Sequence, residues 1–442
     1  MLRIHPKIDF SANCPSDHTG LELEGICIPN LHCLVEATCP TCNAQYYIDL
    51  PIGQAIWSPV TLNKSTSEIF EPLEMDWFSQ PLRDGLLNQE KSEILPIVHK
   101  FFNSDRIIII NCLDFLYGHS LLKLLNVQRH LDESPDLGCC VMVPTQLKHL
   151  VPEGVAEIWE LPIPIKDGKK WYPSLAKWIN EQCQQRKECF LSKVYSHPSH
   201  QVYDLDRFVR GLPDISSEVT NYSPIILFSY RADRTWGKTV RQQQANLQNL
   251  YGKLSSIFPD MLFVLVGFGQ ENYIQPSGAK LVDLRSNKFD VELDRLWMAY
   301  MKAADCAVGV HGSNMLLPSG LAKSTIELVY TSRLGNSVQD FLFGQHLKDP
   351  RDALLYYRML YGNDVLSDIH PSTIASSIAN IVSFARVNSA WFKVGQETSE
   401  MKFDMHQKLL KQGKNHFSNP EKRSFINRTI RKLAHSVITL ID

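Results

Sequence analysis

The sequence lacks a long hydrophobic run: nowhere in its 442 residues is there a stretch approaching the roughly 20 uninterrupted apolar residues of a membrane span. Its first ten residues, MLRIHPKIDF, lack the apolar core of a secretion signal, so a cytoplasmic location is expected. An excess of charge of one sign is also missing. A net charge of −2 gives no general attraction to polyanions, and no nucleic-acid partner is expected. The eleven cysteines are odd in number and scattered, which without an export signal argues against a disulfide framework.

What is present fits two or three folded units, with 44% apolar and 21% charged residues. Residues 1–100 are rich in proline, aromatic and β-branched residues without a long helical period, and read as a β-rich segment. They hold the only tight cysteine grouping, Cys27, Cys33, Cys39 and Cys42. The Cys39-Pro-Thr-Cys42 knuckle is compatible with half of a structural zinc site, with Cys27 or Cys33 as further thiolates, although no second Cys-x-x-Cys accompanies it. Reduced core thiols and redox chemistry are the alternatives.

Over residues 101–215, candidate strands at 107–111, 139–143 and 156–161 alternate with helical segments at LLKLLNVQRHL and 172–184. That alternation predicts a parallel sheet covered by helices. The loop after its first strand carries Asp114 and His119, beyond the carboxyl end of a strand, where open α/β sheets bind ligands. Asp114 is a candidate general base or a helix cap, and His119 a hydroxyl-binding group or a satisfied polar residue. The Asp204-Leu-Asp206 triplet matches a metal-diphosphate motif too short to mean anything by itself.

A second alternation over 216–345 begins at SPIILFSY, whose Ser229 stands near the strand end, and runs into RADRTWGK. A helix at 239–257, strands at 261–266 and 279–284, and a helix at 290–303 follow, making a second Rossmann-like unit. The chain is therefore expected to be α/β, with two Rossmann-like doubly wound domains facing a cleft. Arg231 and Arg234 offer permanently charged, planar donors suited to a diphosphate, with Trp236 available to stack on a base or sugar. Solvated loop charges and a packed indole are the plainer alternative.

The richest stretch is 303–330, AADCAVGVHGSNMLLPSGLAKSTIELVY. It reads as a buried strand, a sharp turn at His311 and Gly312, a helix starting near Ser313 or Asn314, and a second strand containing Glu327. A helix N-terminus straight after a strand suits an anion. Glu327, costly in an apolar strand unless paired, suits ribose hydroxyls or a buried ion pair. Beyond 346 the sequence predicts helices at 349–361 and from 371. The last 42 residues carry nine Lys or Arg against three acids. Their apolar stripe suits either an anionic membrane surface or docking on the protein itself.

The HGSN turn, the STIELV strand and the upstream FSYRADRTWG loop resemble glycosyltransferases of the GT-B fold, most of all family 61, over residues 224–329. The resemblance implies a nucleotide-sugar donor and a glycan or lipid-linked glycan acceptor, in metal-independent and inverting transfer that requires no cofactor. Carried over, Arg231 or Arg234 binds the diphosphate, His311, Gly312 and Ser313 lie along the phosphates with Asn314 beside them in the donor site, and Glu327 holds the ribose. The position of Asp114 is similar to that of the aspartate base of heptose transferases. A nucleotide-sugar epimerase and a non-catalytic glycan- or nucleotide-binding protein are the alternatives.

Overall fold

The structure, a computed structural model, describes residues 1–194, 203–269, 274–337, 342 and 356–394. Strand β1 (Leu2–His5) opens the chain, and five short strands follow: β2 (Glu22–Cys27), β3 (Leu34–Thr38), β4 (Gln45–Asp49), β5 (Thr61–Asn63) and β6 (Ile69–Phe70). These five form an antiparallel meander, as the helix-poor sequence predicts. A helix at Asp76–Leu87, not expected from the sequence, leads out of it.

Strands β7 (Ile97–Lys100), β8 (Arg106–Asn111), β9 (Gly138–Pro144), β10 (Glu157–Leu161) and β11 (Glu188–Leu191) join β1 in a six-stranded sheet of order β1-β11-β8-β9-β10-β7. The central four run parallel, and β1 and β7 close the edges antiparallel. Its centre is Ile107 to Ile110, all without solvent exposure. β-branched residues pack well on a pleated surface covered on both faces, and each such side chain contributes about 1.5–3 kcal/mol when buried. The predicted helix after β8 is two, Tyr117–Leu125 and Val127–Glu133, meeting at Asn126.

The second sheet is wholly parallel: β12 (Ile225–Arg231), β13 (Leu262–Phe268), β14 (Lys280–Asp283), β15 (Cys306–Val310), β16 (Thr325–Tyr330) and β17 (Tyr357–Gly362). Its order, β14-β13-β12-β15-β16-β17, is the 3-2-1-4-5-6 of a doubly wound dinucleotide-binding fold. Strand β17 corrects the helix expected at 349–361. The segment extends because β16 offers an unpaired ladder edge, and six residue pairs fill it in register. The rest of that expected helix, 349–355, lies outside the described residues, as does the basic tail at 401–442. No described helix is long and apolar enough to cross a membrane.

The small N-terminal sheet sits on the first Rossmann sheet. Asn111 Nδ2, at the end of β8, donates to Asn30 O at 2.9 Å, and Leu31 N donates to Gly168 O at 3.1 Å. A Cβ on Gly53 would stand 3.3 Å from Val194 O, just past β11. Neighbouring strands β8 and β11 are where this sheet reverses its winding, so its natural ligand crevice is filled by the chain's own N-terminal segment.

Candidate active site

In the second sheet the reversal falls between β12 and β15, and there the backbone stays open to a ligand. Gly309 in β15 lets the strands close up: a Cβ there would lie 3.0 Å from Ser229 O. Beyond the strand ends, Ser229 Oγ and Asn314 Nδ2 are 3.0 Å apart, and Ser229 Oγ also donates to Asn314 O at 3.2 Å. Arg231 Nη1 reaches Asn314 Oδ1 at 3.4 Å. Arg234 Nη1 donates to the backbone O of His311 at 3.0 Å.

Both guanidinium groups converge on Gly312. Its φ of 147° lies in the region that favours glycine. A Cβ there would collide with Arg234 Nη1 and lie 2.9 Å from Arg231 Nη1. Asp233 takes Nε of Arg231 at 2.8 Å and Nη2 at 2.5 Å, and the bond holds its carboxyl below the usual range. Two guanidinium groups gathered round one turn offer planar, permanently charged donors to an anion. The helix expected near Ser313 is a 3-10 turn, Ser313–Met315, followed by six helical residues, Leu316–Leu321, so the arginines, rather than a long helix dipole, supply the positive field.

A cavity of about 420 Å³ opens beside this turn, a size ordinary for a small-molecule site. Ser229, Arg231, Asp233, Ser313 and Asn314 form one wall, and Phe268, Phe289 and Trp297 give it an aromatic side. Tyr117, Gln146 and Ile165, from the short helical segments that follow strands of the first sheet, also line it. The two loops singled out in the sequence do meet: a Cβ on Gly118 would overlap Ser313 Cβ at 2.6 Å. A buried pair also bridges the halves, His149 Nε2 to Asp294 Oδ2 at 2.9 Å, and Asp294 lines the cavity. Burial and the nearby Asp294 push the Tyr117 hydroxyl well above its ordinary pKa. Gln146 Oε1 is buried and finds no hydrogen-bond partner among the described residues.

Several expected ligand groups turn out to be structural. Trp236 is fully buried, stacked 6.4 Å from Phe228, its indole donating to Ile369 O at 2.9 Å, so its faces are unavailable to a base or sugar. Glu327 is fully buried, and its Oε2 is turned to Nδ1 of the almost equally buried His311 at 2.5 Å.

Asp114 is 3% exposed, accepts Lys123 Nζ at 2.9 Å and takes the N–H groups of Phe115 and Leu116. Burial opposes its ionisation, but Lys123 and His119 outweigh that and hold it far below the usual carboxylate range. The carboxylate is turned to Lys123 inside the fold and is not among the residues lining the cavity. His119 Nδ1 stands 3.5 Å from Asp114, and its ring meets Trp77 edge-on, away from the cavity wall. Asp206 pairs with Lys302 at 2.6 Å, and Asp204 caps its own turn.

The residues sequence reasoning passed over are Phe268, Phe289, Asp294, Gln146 and His149. One signal stood there for Phe268: it sits between Gly267 and Gly269, both with positive φ, directly at the end of a buried strand. The expected cysteine set also divides. Cys27 and Cys33 lie in the core, their thiols pushed up to about 12 by burial, and Cys33 faces Asn111. Cys39 and Cys42 stand elsewhere, with Cys14 and Asp17.

No protein-family model matches the chain, and no curated protein matches it in sequence, so membership of family 61 is not shown. Among solved structures, ADP-heptose lps heptosyltransferase II of E. coli is 12% identical, with a TM-score of 0.36, over 64% of this chain and 99% of that one. A glycosyltransferase family 9 protein from Veillonella parvula is 8% identical over 64% and 99%, at 0.40. The iron-containing heptosyltransferase TibC, solved with ADP-D-beta-D-heptose, is 8% identical over 84% and 97%, at 0.38. Likeness at this level carries no argument about chemistry. By its own strand order and cleft the chain is an α/β protein with two Rossmann-like halves facing each other, the arrangement known as GT-B.

Proposed function

We propose that this chain is a glycosyltransferase, inverting and metal-independent, that draws on a nucleotide-sugar donor and a hydroxyl acceptor such as a glycan. The observation that carries the reading is the convergence of Arg231 and Arg234 on Gly312, at the reversal point of the second sheet and beside a cavity walled by both halves. Two fixed guanidinium groups can neutralise the diphosphate as it departs, which is the largest electrostatic demand of such a transfer. Phe268, Phe289 and Trp297 suit the base and sugar faces of the donor. Tyr117 and Gln146 suit the acceptor side, where Gln146 Oε1 accepts a hydroxyl. For the base we substitute Asp294 for Asp114. It is a carboxylate on the cavity wall, oriented by His149 rather than neutralised by a lysine, and an inverting transfer needs one group to take the acceptor proton. The turn and strand shared with family 61 agree with this reading.

Calorimetry with a panel of nucleoside diphosphates tests the donor site. One of them is expected to bind, and Arg231→Ala to weaken it by about 1.5–3 kcal/mol, with Arg231→Lys failing to restore bidentate contact. Unchanged affinity in Arg231→Ala and Arg234→Ala sinks the assignment. Product NMR with donor alone and with donor plus acceptor separates transfer from epimerisation, which needs no acceptor.

A further inference from the structure

Outside the cavity lining just described, two loops of the N-terminal segment are built alike. Cys14-Pro-Ser-Asp17 lies between β1 and β2, and Cys39-Pro-Thr-Cys42 between β3 and β4. In each, the residue after the fourth position adopts positive φ, 64° at His18 and 58° at Asn43. In each, that residue's N–H returns to the first cysteine's carbonyl at 2.9 Å. The first cysteine's N–H in turn donates to the residue five further on, Thr19 O at 2.8 Å and Ala44 O at 2.9 Å. Thr19 and Thr41 hydroxyls, 3.2 Å apart, tie the loops together. The spacing is Cys-x2-Asp-x21-Cys-x2-Cys, two zinc knuckles in which one ligand is a carboxylate.

We infer that Cys14, Asp17, Cys39 and Cys42 form a tetrahedral structural zinc site, Cys3Asp, that clamps the β1–β2 loop to the β3–β4 turn. The four ligand atoms lie within 4.8 Å of one another. With zinc–sulfur bonds of about 2.3 Å, two thiolates of one tetrahedron stand about 3.8 Å apart, and Cys14 Sγ and Cys42 Sγ are 3.7 Å apart. Cys39 Sγ to Asp17 Oδ2 is 3.3 Å, as fits one sulfur and one shorter oxygen bond. The second carboxylate oxygen is already oriented, accepting Thr19 N at 2.9 Å, and Cys42 N points to Cys39 Sγ at 3.4 Å, the outer contacts that fix metal ligands. Cys14 and Cys39 are buried while Asp17 and Cys42 are exposed, so the ion enters from solvent. Binding releases the three thiol protons to water; three thiolates (−3) and one carboxylate (−1) against the metal's +2 leave the loaded site at −2.

Metal analysis of the full chain, purified without chelator, tests this. About one zinc per chain is expected, falling below about a tenth in Cys14→Ser/Cys42→Ser. Asp17→Cys is expected to fold and keep the metal. After cobalt replaces zinc, its thiolate-to-cobalt charge-transfer absorption should grow in proportion from three sulfurs to four. A wild-type chain without metal, zinc that survives the double substitution, iron in place of zinc, or a cobalt spectrum unchanged by Asp17→Cys each overturns the assignment.

Discussion

Nδ1 of His311 and Oε2 of Glu327 are 2.5 Å apart, across two paired strands and out of reach of solvent. The pair fixes the turn from behind while the backbone of the same residue receives Arg234 from the front. Glu327→Ala is expected to cost about 1–3 kcal/mol, the penalty of removing one partner of a buried hydrogen bond. Urea denaturation measures it, and an unshifted midpoint would contradict the pairing.

Gly312→Ala places a methyl group where two guanidinium groups meet, on a backbone that L side chains avoid. The strain alone costs about 1–3 kcal/mol. Nucleoside-diphosphate affinity, followed by calorimetry, is expected to drop further than the melting midpoint accounts for, because both arginines must move.

Asp114, paired with Lys123 in the interior, is expected to contribute to stability. Its folded carboxyl titrates below the unfolded value of about 4. The stabilisation is therefore fully present above that pH and is lost as pH falls through the lower, folded value. Asp114→Asn leaves Lys123 buried without its counter-charge, costing about 3–5 kcal/mol at neutral pH, and flattens the acid limb of a stability-versus-pH curve.

If Asp294 takes the acceptor proton, Asp294→Asn is expected to lower kcat by about 10²–10⁴-fold while nucleoside-diphosphate affinity holds. Steady-state kinetics beside calorimetry separates the two effects; equal losses in both would assign Asp294 to packing alone.

Trp236 is a core residue, whereas Phe268 lines the cavity with an exposed ring. Trp236→Ala opens a core cavity and is expected to cost about 3–5 kcal/mol of stability, with ligand affinity of the folded protein kept. Phe268→Ala, at an exposed ring, leaves the midpoint within about 0.5 kcal/mol and weakens nucleotide binding by about 0.5–1.5 kcal/mol.

The period of strands and helices made both Rossmann halves legible, because buried parallel strands are continuous β-branched runs such as Ile107 to Ile110. The reversal-point loops were legible too, since sharp turns after strands demand Gly312 and leave arginines beside it. What stayed hidden depends on distance in sequence. The partner of Glu327 is 16 residues away, that of His149 is 145 away, and Lys123 faces Asp114 only because a helix turns it inward. Strand β17 was misread because a short run of Tyr, Arg, Met and Leu suits either a helix face or a ladder edge, and only β16 decides between them. The second knuckle escaped because its fourth position is an aspartate.

Strand β1 lies in the first Rossmann sheet, yet the five-stranded meander is spun out between it and β7 before the chain returns. The front segment is thus stitched in at both ends. If the backbone were severed at the exposed turn of Ser65 and Thr66, the leading fragment would keep its place through the ladders of β1 on β11 and β5 on β6. Two polypeptides divided there are expected to complement one another, as halves of a single cooperative body rather than as neighbouring beads on a string.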